Sequence, residues 1–174
     1  MGLKNLYAII KKPEFIILII VLAIVVAFSL NTNSTREIHL VRGLEVWQNE
    51  NHPVDLDENW FDKSCKVVVY MKFYQDFHRL DLWMKYIEKY PNIPFLFYYA
   101  GGDPDKYFAQ LEEIGFNHPI MIDDVGQFFE KNAGIMREDY SFIAYVINDH
   151  SVEMSNPTIS NFEKLLKECS KANR

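Results

Sequence analysis

Gln75, Asp76 and His78 stand where an apolar run turns into a helical pattern, in "VVVYMKFYQDFHRLDLW", residues 67–83. In α/β proteins the turn after a strand, at the carboxyl edge of the sheet, is where chemistry is usually placed. A carboxylate and an imidazole two residues apart could be two ligands of a metal ion. At a helix start, however, Asp76 would equally serve as a cap or oppose the helix dipole, and His78 would be an exposed first-turn residue. Phe73, Tyr74 and Phe77 make the same turn rich in aromatic side chains, which are enriched at protein interfaces. Cys65 and Cys169 are the only two thiols. Neither has a cysteine neighbour in sequence.

No other chemistry is signalled. His39, His52, His118 and His150 are scattered at no metal-ligand spacing, so no metal site is expected. There is no nucleophile elbow, no glycine-rich phosphate loop and no suggestive carboxylate pair, and no cofactor is expected. Gly101-Gly102-Asp103-Pro104 reads as a turn and a helix start, with Asp103 as N-cap and Pro104 at the first helical position. Trp47, Trp60 and Trp83 read as packing residues, with Leu80 against a sheet and Trp83 left at the edge of its helix.

The elements that must position these residues are read from periodicity. Residues 38–41 suit a short strand. Residues 48–64 read as loop with one helical turn. Strands are expected at about 66–71, 94–100, 119–123, 141–148 and 152–154, and helices at about 77–90, 104–114, 126–132 and 158–171. "NDHS", residues 148–151, reads as a hairpin turn. The order is β-α-β-α-β-α-β-β-α. Strand–helix alternation requires parallel pairing, and the closing hairpin adds an antiparallel edge. The fold class is therefore α/β, a mixed sheet covered by helices on both faces.

The chain has 174 residues, 49% of them hydrophobic and 15% aromatic, enough for one folded domain with an added segment. That segment is "FIILIIVLAIVVAFSL", residues 15–30, which carries no charge. As a helix it spans about 24 Å at about 1.5 Å per residue, near the thickness of a bilayer core. It reads as a transmembrane signal-anchor following a cytoplasmic N-terminus, residues 1–14. A cleaved secretory signal is the alternative, with Ala27 and Ser29 as its small residues. Lys4, Lys11 and Lys12 precede the run, so the positive-inside rule leaves the N-terminus in the cytoplasm and places residues 31–174 in the periplasm or another extracytoplasmic space. Asn33-Ser34-Thr35 fits a glycosylation pattern. The three lysines against Glu14 give residues 1–14 a charge of +2, so the rest of the chain carries −8 of the net −6. An acidic domain does not suit a phosphate backbone, and nucleic acid is not an expected partner.

Residues 65–174 resemble the thioredoxin-like fold, most nearly the exported, membrane-tethered thioredoxin-like proteins of the thiol-disulfide interchange and peroxiredoxin-related group. "KVVVYMKFYQDFHRLDLWMKYIEKYPNIPFLFYY" has the layout of their first strand, active-site turn, first helix and second strand. "FNHPIMIDD" and "FIAYVINDHSVEM" resemble their next strand and closing hairpin. The resemblance implies a Cys-x-x-Cys pair in the turn, but those positions are Gln75 and His78. It also implies a cis-proline near Ser141 or Phe142, where there is none. Without a thiolate the usual redox chemistry is lost. In this group the same edge receives peptide or protein partners.

The expected function is a redox-inactive, membrane-anchored module that binds or scaffolds another envelope protein. Its candidate surfaces are Phe73, Tyr74, Gln75, Asp76, Phe77 and His78, or the segment 38–64 within the tether and extension at residues 31–64. The alternatives are an oxidoreductase using Cys65 or Cys169 as its thiol, and a structural subunit of a larger membrane complex. In a fold of this kind the last helix returns to the amino edge of the sheet, where Cys65 enters the first core strand. The two cysteines therefore either pair or remain separate buried thiols, and an exported compartment permits the pair.

Overall fold

Seven consecutive residues, CKVVVYM, are buried on both sides of one strand, and the sheet is organised around it. The computed structural model describes residues 37–72, 80–136, 142–149, 151–155 and 160–174, all within one unit, Arg36–Arg174. The apolar run 15–30, the turn 73–78 and Asn33 lie outside the described residues. Among the described residues no helix is long and apolar enough to cross a membrane.

The strands are β1 (Glu45–Trp47), β2 (Cys65–Met71), β3 (Phe95–Tyr99), β4 (Ile120–Ile122), β5 (Phe142–Asn148) and β6 (Ser151–Ser155). They form one mixed sheet in the order β1-β4-β3-β2-β5-β6. β2, β3 and β4 are parallel, while β5 runs antiparallel to β2 and β6 antiparallel to β5. β2 and β3 have no exposed residue, which is why both read as near-continuous apolar runs. β5 pairs with β2 along its whole length, from Cys65 opposite Asn148 to Met71 opposite Phe142. Asn148 opposite Ser151 closes the hairpin, and Asp149 takes the left-handed backbone (φ 47°) that a two-residue turn requires. The hairpin thus supplies an inner antiparallel strand as well as an edge. The strand order is consistent with a thioredoxin-like fold.

The helices are α1 (Leu80–Lys89), α2 (Pro104–Glu113), α3 (Gln127–Asn132) and α4 (Ser160–Ala172), with a 3-10 turn at Glu58–Asp62. α1, α2 and α4 cover the face that carries Cys65, Val67, Val69 and Met71. α3 and the 3-10 turn cover the other face, with Val68, Tyr70, Leu96, Tyr98 and Tyr145 beneath them. Asp103 caps α2 by accepting from the Lys106 amide, with Pro104 at its start, as the sequence predicts.

Two expectations need correction. Residues 38–41 are not a strand. They form an extended strap whose backbone bonds to side chains: Tyr98 Oη donates to the Val41 carbonyl and accepts from its amide. Asn132 accepts from the His39 amide and donates to its carbonyl. Ile38 and Val41 reach the second core cluster, so burial explains their apolar character without sheet pairing. The edge strand is β1 instead, paired antiparallel with β4. Trp83 is not at a helix edge. It is fully buried, meeting Phe95, Phe97 and Phe162 edge-on at centroid distances of 6.1, 5.9 and 5.5 Å. Spacing of three places Trp83 on the same inward face as Leu80.

Candidate functional site

The parallel strands end at one edge of the sheet, after Met71, Tyr99 and Ile122, and among the described residues that edge is made of inward-turned groups. The Ala100 amide donates to Met71 O and the Asp123 amide to Tyr99 O, extending the parallel pairing past the last residues of the strands. Tyr107 Oη donates to Met71 Sδ at 3.2 Å, and Tyr99 Oη donates to Gly102 O at 2.8 Å. The two tyrosine rings stack at 4.1 Å. Gly101 is required where it stands, because a Cβ there would lie 2.5 Å from the Tyr99 hydroxyl oxygen. Asp123, fully buried at the end of β4, accepts from the Gln127 and Phe128 amides and so caps α3. Among the described residues this edge holds no thiol, and its carboxylate is spent on a helix start.

The two cysteines meet at the opposite edge. Cys65 opens β2, and Cys169 lies in the last turns of α4. They are joined by a disulfide with Cα atoms 5.3 Å apart, and both residues are buried. The seven residues of β2 put this bridge roughly 20 Å from the other end of the strand at Met71, at about 3.3 Å per residue. A polar clasp surrounds it. Asn173 accepts from the Cys65 amide and donates to the carbonyls of Cys65 and Asn92. Asn92 in turn donates to Ser170 O and accepts from Ser170 Oγ. The chain end is therefore tied to the sheet covalently and by hydrogen bonds.

Beside the clasp lies a cleft of about 420 Å³, within the range of small-ligand sites. Trp60, Ile87, Pro91 and Pro94 form much of its apolar wall, and His118 lines it from within. Trp60 stacks on His118 at 5.1 Å with the rings 5° from parallel, and Phe97 meets His118 edge-on at 5.4 Å. His118 Nε2 lies 2.8 Å from Phe95 O, an acceptor, so Nε2 carries the proton and Nδ1 is the ring's acceptor. Among the described residues Nδ1 has no hydrogen-bond partner.

Burial pushes His118 from its ordinary 6.5 down to about 4, against the opposing bond to Phe95 O. The imidazole is thus neutral at pH 7 in the folded chain. In the unfolded chain it takes up a proton near pH 6.5, and in the folded chain only near pH 4. Its contribution to stability is complete above pH 6.5 and is lost as pH falls from there to about 4. The expected loss is about 3 kcal/mol, at 1.36 kcal/mol per pKa unit. Urea midpoints measured between pH 7 and 4 should fall less steeply in His118→Gln than in the parent chain. Parallel curves would mean that His118 is not held neutral.

Among the described residues no three His, Cys, Asp or Glu side chains gather in a way that could hold a metal ion. Lys66, a buried amine, donates to Phe61 O, and burial lowers its pKa. Of the sequence-derived site residues, the structure brings Cys65 and Cys169 together, while residues 73–78 lie outside the described residues. Sequence reading missed the cleft and the clasp. The cleft assembles from separate segments, and the one local cue, Asn117-His118-Pro119 before β4, has no distinctive spacing. Asn173 carries no sequence signal at all.

No family model matches the chain, and no curated protein matches it. A solved structure described as a thioredoxin-like protein in the oxidised form, determined in solution, is similar to it. The match has a TM-score of 0.43 and 13% identity, and it covers 62% of this chain and 78% of that one.

Proposed function

We propose that this chain is a redox-inactive, membrane-anchored thioredoxin-like module that binds or scaffolds another envelope protein. One observation carries the proposal: both cysteines of the chain are consumed in a buried disulfide at the sheet edge opposite the turn where this fold performs thiol chemistry. At that turn the sequence has Gln75 and His78 in place of the two cysteines. Neither side chain forms a thiolate, so neither can attack a disulfide. What remains for the domain is recognition, through the aromatic turn or through the segment before β2. The compartment is read from two independent features. The uncharged run 15–30 behind three lysines suits a signal-anchor, and disulfides persist in oxidising compartments. Both favour a domain outside the cytoplasm, held on its membrane.

The test is insulin disulfide reduction by dithiothreitol, with the full-length chain in detergent as the candidate catalyst. The rate should equal that of dithiothreitol alone. A catalysed rate that disappears in Cys65→Ala or Cys169→Ala would establish the oxidoreductase alternative instead.

A further inference from the structure

We propose that the free edge of β6 takes up an extended strand of the partner protein, added antiparallel, with a lysine or arginine opposite Glu153 and an apolar residue on each side of that cation. This rests on the reading of the domain as a binding module and adds a surface to it.

The two edges of the sheet differ. β1 offers only three residues, whereas β6 offers five, and no strand lies beyond β6 among the described residues. Ser151, Glu153 and Met154 are exposed, Met154 at 46%. The direction of the backbone groups follows from the register. The Asp149 amide donates to Ser64 O, one step beyond Cys65 opposite Asn148. Successive residues of a strand turn their N–H and C=O to alternate sides. Asp149, Ile147 and Tyr145 therefore bond toward β2, and Asn148, Val146 and Ala144 toward β6. The β6 residues opposite those last three are Ser151, Glu153 and Ser155. Val152 and Met154 are left to turn their N–H and C=O outward, where an added strand would pair with them.

The side chains select the occupant. Val152 stands opposite Ile147 and Met154 opposite Tyr145, so both lie on the face of the second core cluster and suit apolar neighbours. Glu153 stands on the other face and has no ion pair among the described residues. A second copy of this chain is a poor occupant. Full antiparallel overlap of two β6 strands sets each Glu153 against its own counterpart, and like charges directly opposite are destabilising. The same carboxylate favours a cation. Position 153 would sit in a pair whose backbone groups turn away from each other, the kind that brings opposing side chains closest. An apolar–cation–apolar strand therefore matches this edge on both faces, and Glu153 rejects self-pairing.

The experiment is residue-resolved amide hydrogen exchange by nuclear magnetic resonance on the full-length chain in detergent. The probes are acetyl-Thr-Ile-Lys-Ile-Thr-amide and the same peptide with Glu in place of Lys. Without peptide, the Val152 and Met154 amides should exchange fast and those of Glu153 and Ser155 slowly. The lysine peptide near saturation should slow Val152 and Met154 about tenfold. The glutamate peptide should bind about fivefold more weakly, and Glu153→Lys, an exposed change, should reverse that order. No slowing at millimolar peptide, or equal slowing by both peptides, would overturn the proposal. Protection of Val152 and Met154 in the free chain would also overturn it, and protection that grew with protein concentration would assign the edge to a second copy. These failures would leave the binding module standing, whereas catalysed insulin reduction would remove the module reading itself.

Discussion

Reducing Cys65–Cys169, or replacing both residues with alanine, should lower the unfolding free energy of the domain by about 4–5 kcal/mol in the chain-entropy account. The bridge spans 104 residues, so it removes a large loop's worth of freedom from the unfolded chain. Such a loss is a large share of the total stability of an ordinary domain, about 5–15 kcal/mol. The native geometry does not depend on the bridge alone. Asn173 and the Asn92–Ser170 pair hold the same chain end by hydrogen bonds, so the reduced protein should keep its fold in the absence of denaturant. Urea unfolding with and without dithiothreitol checks this through the midpoint. An unchanged midpoint would mean that the bridge contributes nothing to stability.

Trp83→Ala should cost about 3–5 kcal/mol, the range for emptying a large aromatic site in a core. Trp83 is fully buried and meets three phenylalanines edge-on, two from β3 and one from α4. It therefore joins α1 to both the sheet and the last helix. The surroundings are themselves large rings, which cannot collapse into the space without leaving their own rotamers. Trp83→Phe should recover part of the loss, because a smaller ring keeps some edge-on contacts. Denaturant midpoints of the two variants should rank parent, Phe, Ala. A cost below about 1 kcal/mol for the alanine variant would contradict the packing described for this face.

These two expectations also show what the sequence could and could not disclose. β2 and β3 were legible because strands buried on both faces are apolar at nearly every position. α2 was legible because Asp103 and Pro104 mark its start and Tyr107, Phe108 and Leu111 mark its inner face. β1 was hidden, since Glu45–Trp47 is three residues long and owes its strand state to pairing with β4. The strap at 38–41 misled because an apolar stretch tied down by Tyr98 and Asn132 has the same composition as a strand. Trp83 misled because one residue of helix phase decides between an edge and a core position. The meeting of Cys65 and Cys169 depended on where α4 ends relative to β2, which topology allowed but local pattern did not settle. The cleft was invisible because Asp57, Trp60, Pro91 and His118 come together only in the folded chain. Residues 73–78 lie outside the described residues, so the proposal that they meet a partner rests on their composition.

In the proposed function no thiol of this chain is available for exchange in the folded state. The most direct measurement is insulin reduction, followed in parallel with mass-based counting of alkylated cysteines on the native full-length protein under mild dithiothreitol. An uncatalysed rate is expected, with no alkyl group on Cys65 or Cys169 until denaturant is added. A catalysed rate, with either cysteine alkylated while the domain remains folded, would contradict it.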